Sequence, residues 1–153
     1  MTTREEIVAQ ARTWIGTKFV HQGRSKQTGS NAGGVDCIGL AVGVVRELGI
    51  KDKDGQLLHL HDYTNYSSLP SAKLLMGSLH KVLTEIPIEE AVPGDVLVFR
   101  FKKEPQHIAI LSELDKGVMR VIHSYRGPEK VTEQIINDQW KSRITSAFRI
   151  RLN

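Results

Sequence analysis

Hydrophobic positions in the first half of the chain recur at helical spacing and predict helices there. The first helix starts at a capping box, either Thr2 with Glu5 or Thr3 with Glu6, and runs to about Trp14. Apolar side chains fall on one face of this segment, which predicts that the face packs into the core.

Two more helices are predicted between the first helix and the predicted strands. One spans 37–48, with Asp36 as its N-cap and Gly49 as its C-terminal stop. It is apolar nearly all round, which is typical of a buried helix. The other spans 70–83, where Pro70 suits the first turn and the apolar residues form one stripe.

In the second half of the chain, β-forming residues either cluster or alternate with polar residues. This pattern predicts strands at 96–101, 107–112, 118–123 and 148–152. The middle two read as arms of a hairpin that turns at 115–117. Helices followed by an antiparallel meander predict an α+β domain, with the N-terminal helices packed on an antiparallel β-sheet. A chain of 153 residues fits one such domain, 1–153.

Composition narrows the function classes. The formal charge of +4 and a pI of about 9.3 suit an anionic partner, but the basic residues are scattered and no nucleic-acid module accompanies them. We therefore predict no nucleic-acid binding. No apolar run is long enough for membrane insertion, and the N-terminus lacks an apolar signal core, so we expect synthesis in the cytoplasm.

The single cysteine is the first candidate for chemistry. Cys37 follows the N-cap Asp36, so it lies in the first turn of a helix, where free N–H groups and the dipole favour a thiolate. The same amides could bind an oxyanion, and Gly33 and Gly34 would let a substrate backbone come close. The competing interpretation is a small residue that merely begins a buried helix. One cysteine excludes an intrachain disulfide and a multi-cysteine zinc site.

Two histidines are placed symmetrically about the predicted turn. His107 and His123 are equally distant from Asp115, so the hairpin brings them opposite each other, within about one residue of register. This register needs an odd loop followed by Gly117 as a bulge glycine. Together with Cys37, the pair makes a set of nucleophile, base and orienting residue.

Alternatives for the histidines remain. A zinc site on the same cysteine and histidines lacks any short metal-ligand spacing, so we predict neither a metal nor a cofactor. Asp36 is a candidate for substrate contact, although capping alone explains it. Three other histidines lie in polar stretches and are predicted to be solvated: His59, His61 and His80.

Four motifs, in order, resemble the NlpC-type cell-wall cysteine peptidases, which are papain-like in fold. The motifs are Gly34–Leu40, Pro93–Phe99, His107–Leu111 and Val121–His123. Each is weak alone, but four in this order and spacing are specific, and the resemblance covers essentially the whole chain. It implies hydrolysis of an amide in the peptidoglycan stem peptide, typically between γ-D-glutamate and a diamino acid.

The resemblance also implies site roles. It makes Cys37 the nucleophile, His107 the base and His123 the third polar residue. Substrate-binding positions fall on Asp36, Gly34, Ile38 and His21. Two of these depart from the family: Ile38 replaces a serine that helps hold the free amine of the stem peptide, and His21 replaces a tyrosine. The subsite specificity is therefore open.

Three further stretches look most like the branch of this family encoded with phage tails and prophages: 21–24, 66–70, and Trp140 with Arg143. This resemblance implies action at the bacterial cell wall. It also implies that tail or other delivery-particle proteins are partners, in addition to the stem peptide. Two other functions stay open. The same machinery could act on another amide, as a wall amidase or a secreted toxin effector, or the chain could be a non-catalytic tail assembly component.

Overall fold

The computed structural model describes residues 2–67 and 71–152, which form four α-helices and eight β-strands. The helices are α1 (Arg4–Arg12), α2 (Cys37–Glu47), α3 (Ala72–Val82) and α4 (Asp138–Lys141). The strands are β1 (Arg24–Ser25), β2 (Gly34–Val35), β3 (Thr84–Ile86), β4 (Val96–Phe101), β5 (Glu104–Asp115), β6 (Val118–Ser124), β7 (Val131–Ile135) and β8 (Ile144–Arg149). Short 3₁₀ helices lie at Leu58–His61 and Ile88–Glu90.

The main sheet has six strands in the order β3-β8-β4-β5-β6-β7, and every neighbouring pair is antiparallel. Strands β4, β5 and β6 form the predicted start of the meander, and β7 continues it although no strand was predicted there. The strand predicted at 148–152 is β8, which begins earlier, ends at Arg149 and inserts between β3 and β4. Strands β1 and β2 pair separately, in the stretch between α1 and α2. The α+β prediction with helices on an antiparallel sheet is confirmed.

Local capping explains where the first two helices begin. Thr3, rather than Thr2, is the N-cap of α1 and forms the capping box with Glu6. This helix ends at Arg12, two residues earlier than predicted, although Trp14 is still fully buried. Asp36 caps α2 as predicted.

The ends of the other helices follow from simple sequence signals. Gly49 takes a positive φ of 62° just after α2, a conformation that glycine adopts without steric cost. Helix α3 starts at Ala72, where Ser71 accepts a hydrogen bond from the Leu74 amide. The predicted role of Pro70 lies outside the described residues.

The sheet carries an apolar layer on each face. The layer toward α1, α2 and α3 is the larger, and it includes Ile7, Trp14, Leu40, Val44, Ile110 and Phe148. The layer on the other face includes Leu97, Phe99, Leu111 and Val121, with Trp140 of α4 packed against it. Among the described residues, no helix has the length and apolar character needed to cross a membrane.

The β5–β6 hairpin differs from the predicted register. Its loop is two residues, Lys116 and Gly117, both with positive φ, and Asp115 pairs directly with Val118. The pairing then shifts by one residue at a bulge around Ser112.

The bulge decides how the two histidines face each other. On the far side of the bulge from the turn, Ile110 pairs with Ile122. Continuing this pairing puts Ala109 opposite His123, so His107 lies two residues further along β5 than the position opposite His123. The predicted opposite pairing is therefore wrong. The two histidines nevertheless stay on one face, because an offset of two residues preserves the side-chain alternation.

Candidate active site

Cys37 is the first residue of α2 and is 8% exposed. Burial and the nearby Asp36 carboxylate raise the pKa of its thiol to about 12. Hydrogen bonds to the sulfur from the Ile108 and Ile38 amides act in the opposite direction and lower the pKa. The amide of Ile38 at the helix start thus favours the thiolate as predicted, but burial opposes it. The loss of water around the sulfur outweighs the favourable amides.

The carboxylate of Asp36 is enclosed by donors. One oxygen accepts from the Gly39 amide at 2.8 Å and from Arg24 Nη1 at 3.2 Å. The other accepts from the Gln22 amide at 2.9 Å and from the hydroxyl of Tyr66. Asp36 thus ties the start of α2, where Cys37 lies, to the preceding loop and to the 62–66 segment.

Arg24 is the second centre of this network. Its guanidinium donates to both oxygens of Asp62 at 2.8 and 3.1 Å, to the Tyr63 carbonyl at 3.1 Å and to the Tyr66 hydroxyl at 3.0 Å. Burial works against its charge, but the bonds to Asp62 and Tyr66 raise the pKa of Arg24 above its ordinary value. No local sequence signal marks this network, since its members are distant along the chain.

The two histidines are directly bonded to each other. His107 Nε2 lies 2.8 Å from His123 Nδ1, and the two residues are 2% and 0% exposed. Burial lowers the pKa of His123 to about 4, and burial together with the neighbouring His123 lowers the pKa of His107 well below its ordinary value. Both rings are therefore neutral at pH 7, and the hydrogen bond joins an N–H of one ring to a bare nitrogen of the other.

Aromatic rings enclose this pair. Phe101 stacks on His107 with a centroid distance of 5.3 Å and an interplanar angle of 18°. Tyr125 lies 4.7 Å from the His123 ring, and Trp140 meets both imidazoles edge-on at 6.1 and 5.5 Å. These rings exclude water from the histidines, which is the cause of their lowered pKa values.

The backbone of Ile108 links the two halves of the site. Its amide bonds the Cys37 sulfur, and it directly follows His107 in β5. Within residues 2–67 and 71–152, the structure records no direct hydrogen bond between Cys37 and His107. Such bonds often form only when substrate is present. The arrangement thus places the Cys37 sulfur against the backbone amide of the residue that follows His107.

This fold and site can now be compared with known proteins. The model of the NlpC/P60 family matches residues 16–149. The chain belongs to the NlpC/P60 family. A search of the curated proteins finds no significant match.

Solved NlpC/P60 structures share the fold. The NlpC/p60 domain of the peptidoglycan hydrolase SagA has a TM-score of 0.62 at 21% identity, covering 97% of this chain and 100% of that one. An NlpC/P60 family protein from Bacillus cereus has a TM-score of 0.62 at 18% identity, covering 97% of this chain and 40% of its own. An NlpC protein from Trichomonas vaginalis scores 0.56 at 17% identity, with 96% and 43% covered.

The other predicted substrate-binding residues of this NlpC/P60 chain have varied surroundings. His21 is part-buried and meets the Tyr66 ring edge-on at 5.5 Å. A Cβ on Gly34 would lie 2.3 Å from a methyl carbon of Val20, so packing alone requires glycine there. Ile38 is 8% exposed and lines an apolar cavity beside α2. Direct substrate contact by these residues and Asp36 stays a prediction.

The remaining histidines are only partly as predicted. His80 is exposed, on the surface of α3, and bonds Glu85 at 2.6 Å. His61 is part-buried and bonds Asp52 at 2.8 Å, and His59 is also part-buried, so the prediction that both are solvated is wrong. Across residues 2–67 and 71–152 no group of three or more potential ligands is arranged to hold a metal ion.

Proposed function

We propose that this protein is a cysteine peptidase that hydrolyses an amide bond of the peptidoglycan stem peptide, between γ-D-glutamate and a diamino acid. The observation that carries the proposal is the 2.8 Å bond between His107 and His123 beside a cysteine that opens a buried helix. The family supports the substrate, since NlpC/P60 domains include that of the peptidoglycan hydrolase SagA.

The resting site holds a neutral thiol and a neutral imidazole. His107 uses Nε2 in its bond to His123, so Nδ1 is the nitrogen left for proton transfer. With a substrate carbonyl in place, Cys37 gives its proton to His107 Nδ1 and its sulfur attacks the carbonyl carbon. The first-turn amides of α2, including that of Cys37 itself, would receive the oxyanion.

The two later steps return the site to its starting state. When the tetrahedral intermediate collapses, the C–N bond breaks and His107 gives its proton to the departing amine, leaving a thioester on Cys37. Water, deprotonated by His107, then attacks the thioester and releases the acid together with the thiol. His123 Nδ1 holds His107 by its Nε2 and so orients that ring throughout.

The proposal includes the delivery route. We infer a single catalytic domain over 1–153 that acts at the bacterial cell wall and is carried there by a phage tail or a related particle. Support comes from the resemblance of 21–24, 66–70 and the Trp140–Arg143 stretch to the phage-tail branch. The net charge of +4 would favour an acidic wall polymer. Co-purification with tail particles from an induced lysogen tests this part.

Digestion of purified peptidoglycan tests the function. Wild type and Cys37→Ser are incubated with sacculi, and the released fragments are identified by mass spectrometry. We expect fragments ending at γ-D-glutamate with the wild type alone. Circular dichroism verifies that Cys37→Ser is folded. Hydrolysis retained by that variant would falsify the assignment of the nucleophile.

One observation favours a second function, in which the same residues cut a different amide. Ile38 cannot hydrogen-bond the free amine that a serine holds at this position in many members, and its side chain faces an apolar cavity. An amide with an apolar group beside the scissile bond suits this surface, whether in the wall or in a toxin target. Fragments cut at another wall bond, absent with Cys37→Ser, would replace the first assignment with this one.

A further inference from the structure

The hydrogen bond between the two histidines can carry its proton on either ring. Nε2 of His107 lies 2.8 Å from Nδ1 of His123, and both rings are neutral near pH 7. If the proton is on His107 Nε2, then His107 Nδ1 is bare and can accept the thiol proton. If the proton is on His123 Nδ1, then His107 holds its own proton on Nδ1 and cannot act as a base. Only the first of the two tautomers is therefore competent in the proposed mechanism.

The two tautomers make opposite demands on the far nitrogen of His123. In the competent tautomer Nε2 carries a proton and needs an acceptor, whereas in the other Nε2 is bare and needs a donor. His123 is 0% exposed, and its Nε2 has no well-aligned hydrogen-bond partner within residues 2–67 and 71–152. A buried polar nitrogen is costly to leave unpaired, so a side chain that reaches Nε2 biases the choice of tautomer.

Strand β7 brings Gln134 next to the His123 ring. Thr132 lies directly opposite His123, and Gln134 lies opposite Val121, two residues away on β6. Residues two apart on a strand share a face, so Gln134 is a diagonal neighbour of His123 on the same face of the sheet. A long side chain spans the distance between diagonal neighbours. Gln134 is part-buried, although β7 is the last strand of the sheet.

The contacts of Gln134 involve its amide oxygen. The Thr132 hydroxyl donates to Gln134 Oε1 at 3.4 Å, which leaves a second lone pair on that oxygen. Burial lowers the pKa of His123, and a side-chain hydrogen bond with Gln134 acts in the opposite direction. Because Nδ1 of His123 is already bonded to His107, this contact falls on Nε2. Its alignment is incomplete in the free protein, but the terminal torsion of glutamine is broad, so the amide can turn onto the nitrogen.

We propose that Gln134 is a positioning residue whose amide oxygen accepts a hydrogen bond from Nε2–H of His123 and so favours the competent tautomer of both histidines. The donors then follow one direction. His123 donates from Nε2 to Gln134, His107 donates from Nε2 to His123, and His107 Nδ1 stays bare for the thiol proton. Gln134 thus acts through His123 and not on the substrate. The inference rests on the proposed function for its kinetic consequence, whereas the tautomer can be measured on the free protein.

Nitrogen NMR of protein labelled at histidine tests the proposal without substrate. Protonated and bare imidazole nitrogens resonate far apart, and the spectra of His107→Ala and His123→Ala assign the two rings. Near pH 7 we expect a proton on Nε2 of both rings in the wild type. Gln134→Met keeps the side-chain length but removes the acceptor, so the Nε2 proton of His123 should move upfield and the Nδ1-protonated form should become detectable. Gln56→Met, at an exposed position in the 52–56 turn, is the matched control and should change neither ring.

Two results would overturn the proposal. One is a wild-type proton on Nδ1 of His123, and the other is a His123 spectrum that Gln134→Met leaves unchanged. If Gln134→Met fails to fold by circular dichroism, Gln134→Glu takes its place, because a carboxylate has the same shape as the amide. A carboxylate at Nε2 should raise the pKa of His123 from about 4 to about 5 or higher, measured by titration of the same resonances. An unchanged pKa would show that the side chain at position 134 does not reach His123, and the proposal would fall.

Kinetics separate this inference from the proposed function. Gln134→Met should lower kcat on a stem-peptide substrate about three- to tenfold, the factor that corresponds to the net contribution of one hydrogen bond, and leave KM nearly unchanged. An inactive wild type with the expected tautomers would contradict the proposed hydrolysis and still support the role of Gln134. An active wild type whose kcat is unchanged in Gln134→Met would overturn the positioning role alone.

Discussion

The two halves of the candidate site are held in place by different forces. The cysteine half depends on charge: Asp36 and Arg24 form an ion pair at 3.2 Å, and Asp62 holds Arg24 from the other side. The histidine half depends on strand pairing, aromatic packing and one bond between two neutral rings. Cys37 is therefore positioned by a polar network, and the histidine pair by an apolar enclosure.

The difference has a consequence for ionisation. Both halves are dry, so burial raises the pKa of the Cys37 thiol and lowers the pKa of each histidine. All three groups are neutral in the free protein near pH 7. In the proposed mechanism, proton transfer from sulfur to imidazole is then a step of the reaction rather than a property of the resting site.

The largest effect should come from removing the base. His107→Ala should lower kcat/KM by at least about 1,000-fold, because it removes the group that takes the thiol proton in the proposed mechanism. Steady-state hydrolysis of a stem-peptide substrate measures this. His80→Ala, at an exposed histidine of α3, is the matched control and should retain full activity. Activity of His107→Ala within tenfold of wild type would contradict the assignment.

Next comes the charge network. Asp36→Ala should lower the free energy of unfolding by about 3–5 kcal/mol, because it removes the α2 cap and leaves the part-buried Arg24 with one fewer anionic partner. Urea unfolding measures the loss, with Asp54→Ala in an exposed turn as control. A loss below about 1 kcal/mol would mean that Asp62 alone satisfies Arg24.

Removing the orienting histidine should cost less than removing the base. His123→Ala should lower kcat by about 100-fold, since His107 can still accept a proton but loses its fixed orientation. His123→Gln, which keeps a hydrogen-bonding group at this position, should recover part of the loss. An effect of His123→Ala as large as that of His107→Ala would make His123 part of the proton transfer itself.

The smallest change should be in the pH dependence of alkylation. With a thiol pKa of about 12, the thiolate fraction rises about tenfold per pH unit, so iodoacetamide should react about tenfold faster at pH 8 than at pH 7. Mass spectrometry follows the single adduct. Asp36→Asn should react faster at both pH values, because the nearby carboxylate raises the thiol pKa. A wild-type rate that is constant over this range would indicate a preformed thiolate.

Local sequence signals predicted much of this molecule. Asp36 before an apolar run was sufficient to place the N-terminus of α2, and with it Cys37, because capping depends on neighbouring residues alone. The hairpin was also evident from its turn. Its register was not, because the bulge at Ser112 inserts a residue on one strand only, and no local pattern marks it.

Long-range contacts were beyond sequence reasoning. The approach of Arg24 to Asp36 and Asp62 depends on how three loops pack, and nothing within a few residues of Arg24 encodes it. Trp140 was noticed only through the family resemblance, and its place over the histidines follows from the crossing between β7 and β8. These misses concern the surroundings of the site, and the catalytic roles of Cys37, His107 and His123 stay predictions.

The only thiol of the chain belongs to Cys37, the first residue of helix α2. Covalent modification of the protein at a thiol therefore reports on this site alone. An electrophile built on a stem-peptide fragment has one thiol to react with, so a single mass increment would count occupied sites directly. The same adduct, formed in a mixture of sacculi and protein, would identify which molecules had engaged the wall. Substrate-like electrophiles can therefore be screened on the natural sequence, because no cysteine has to be introduced and no competing thiol has to be removed.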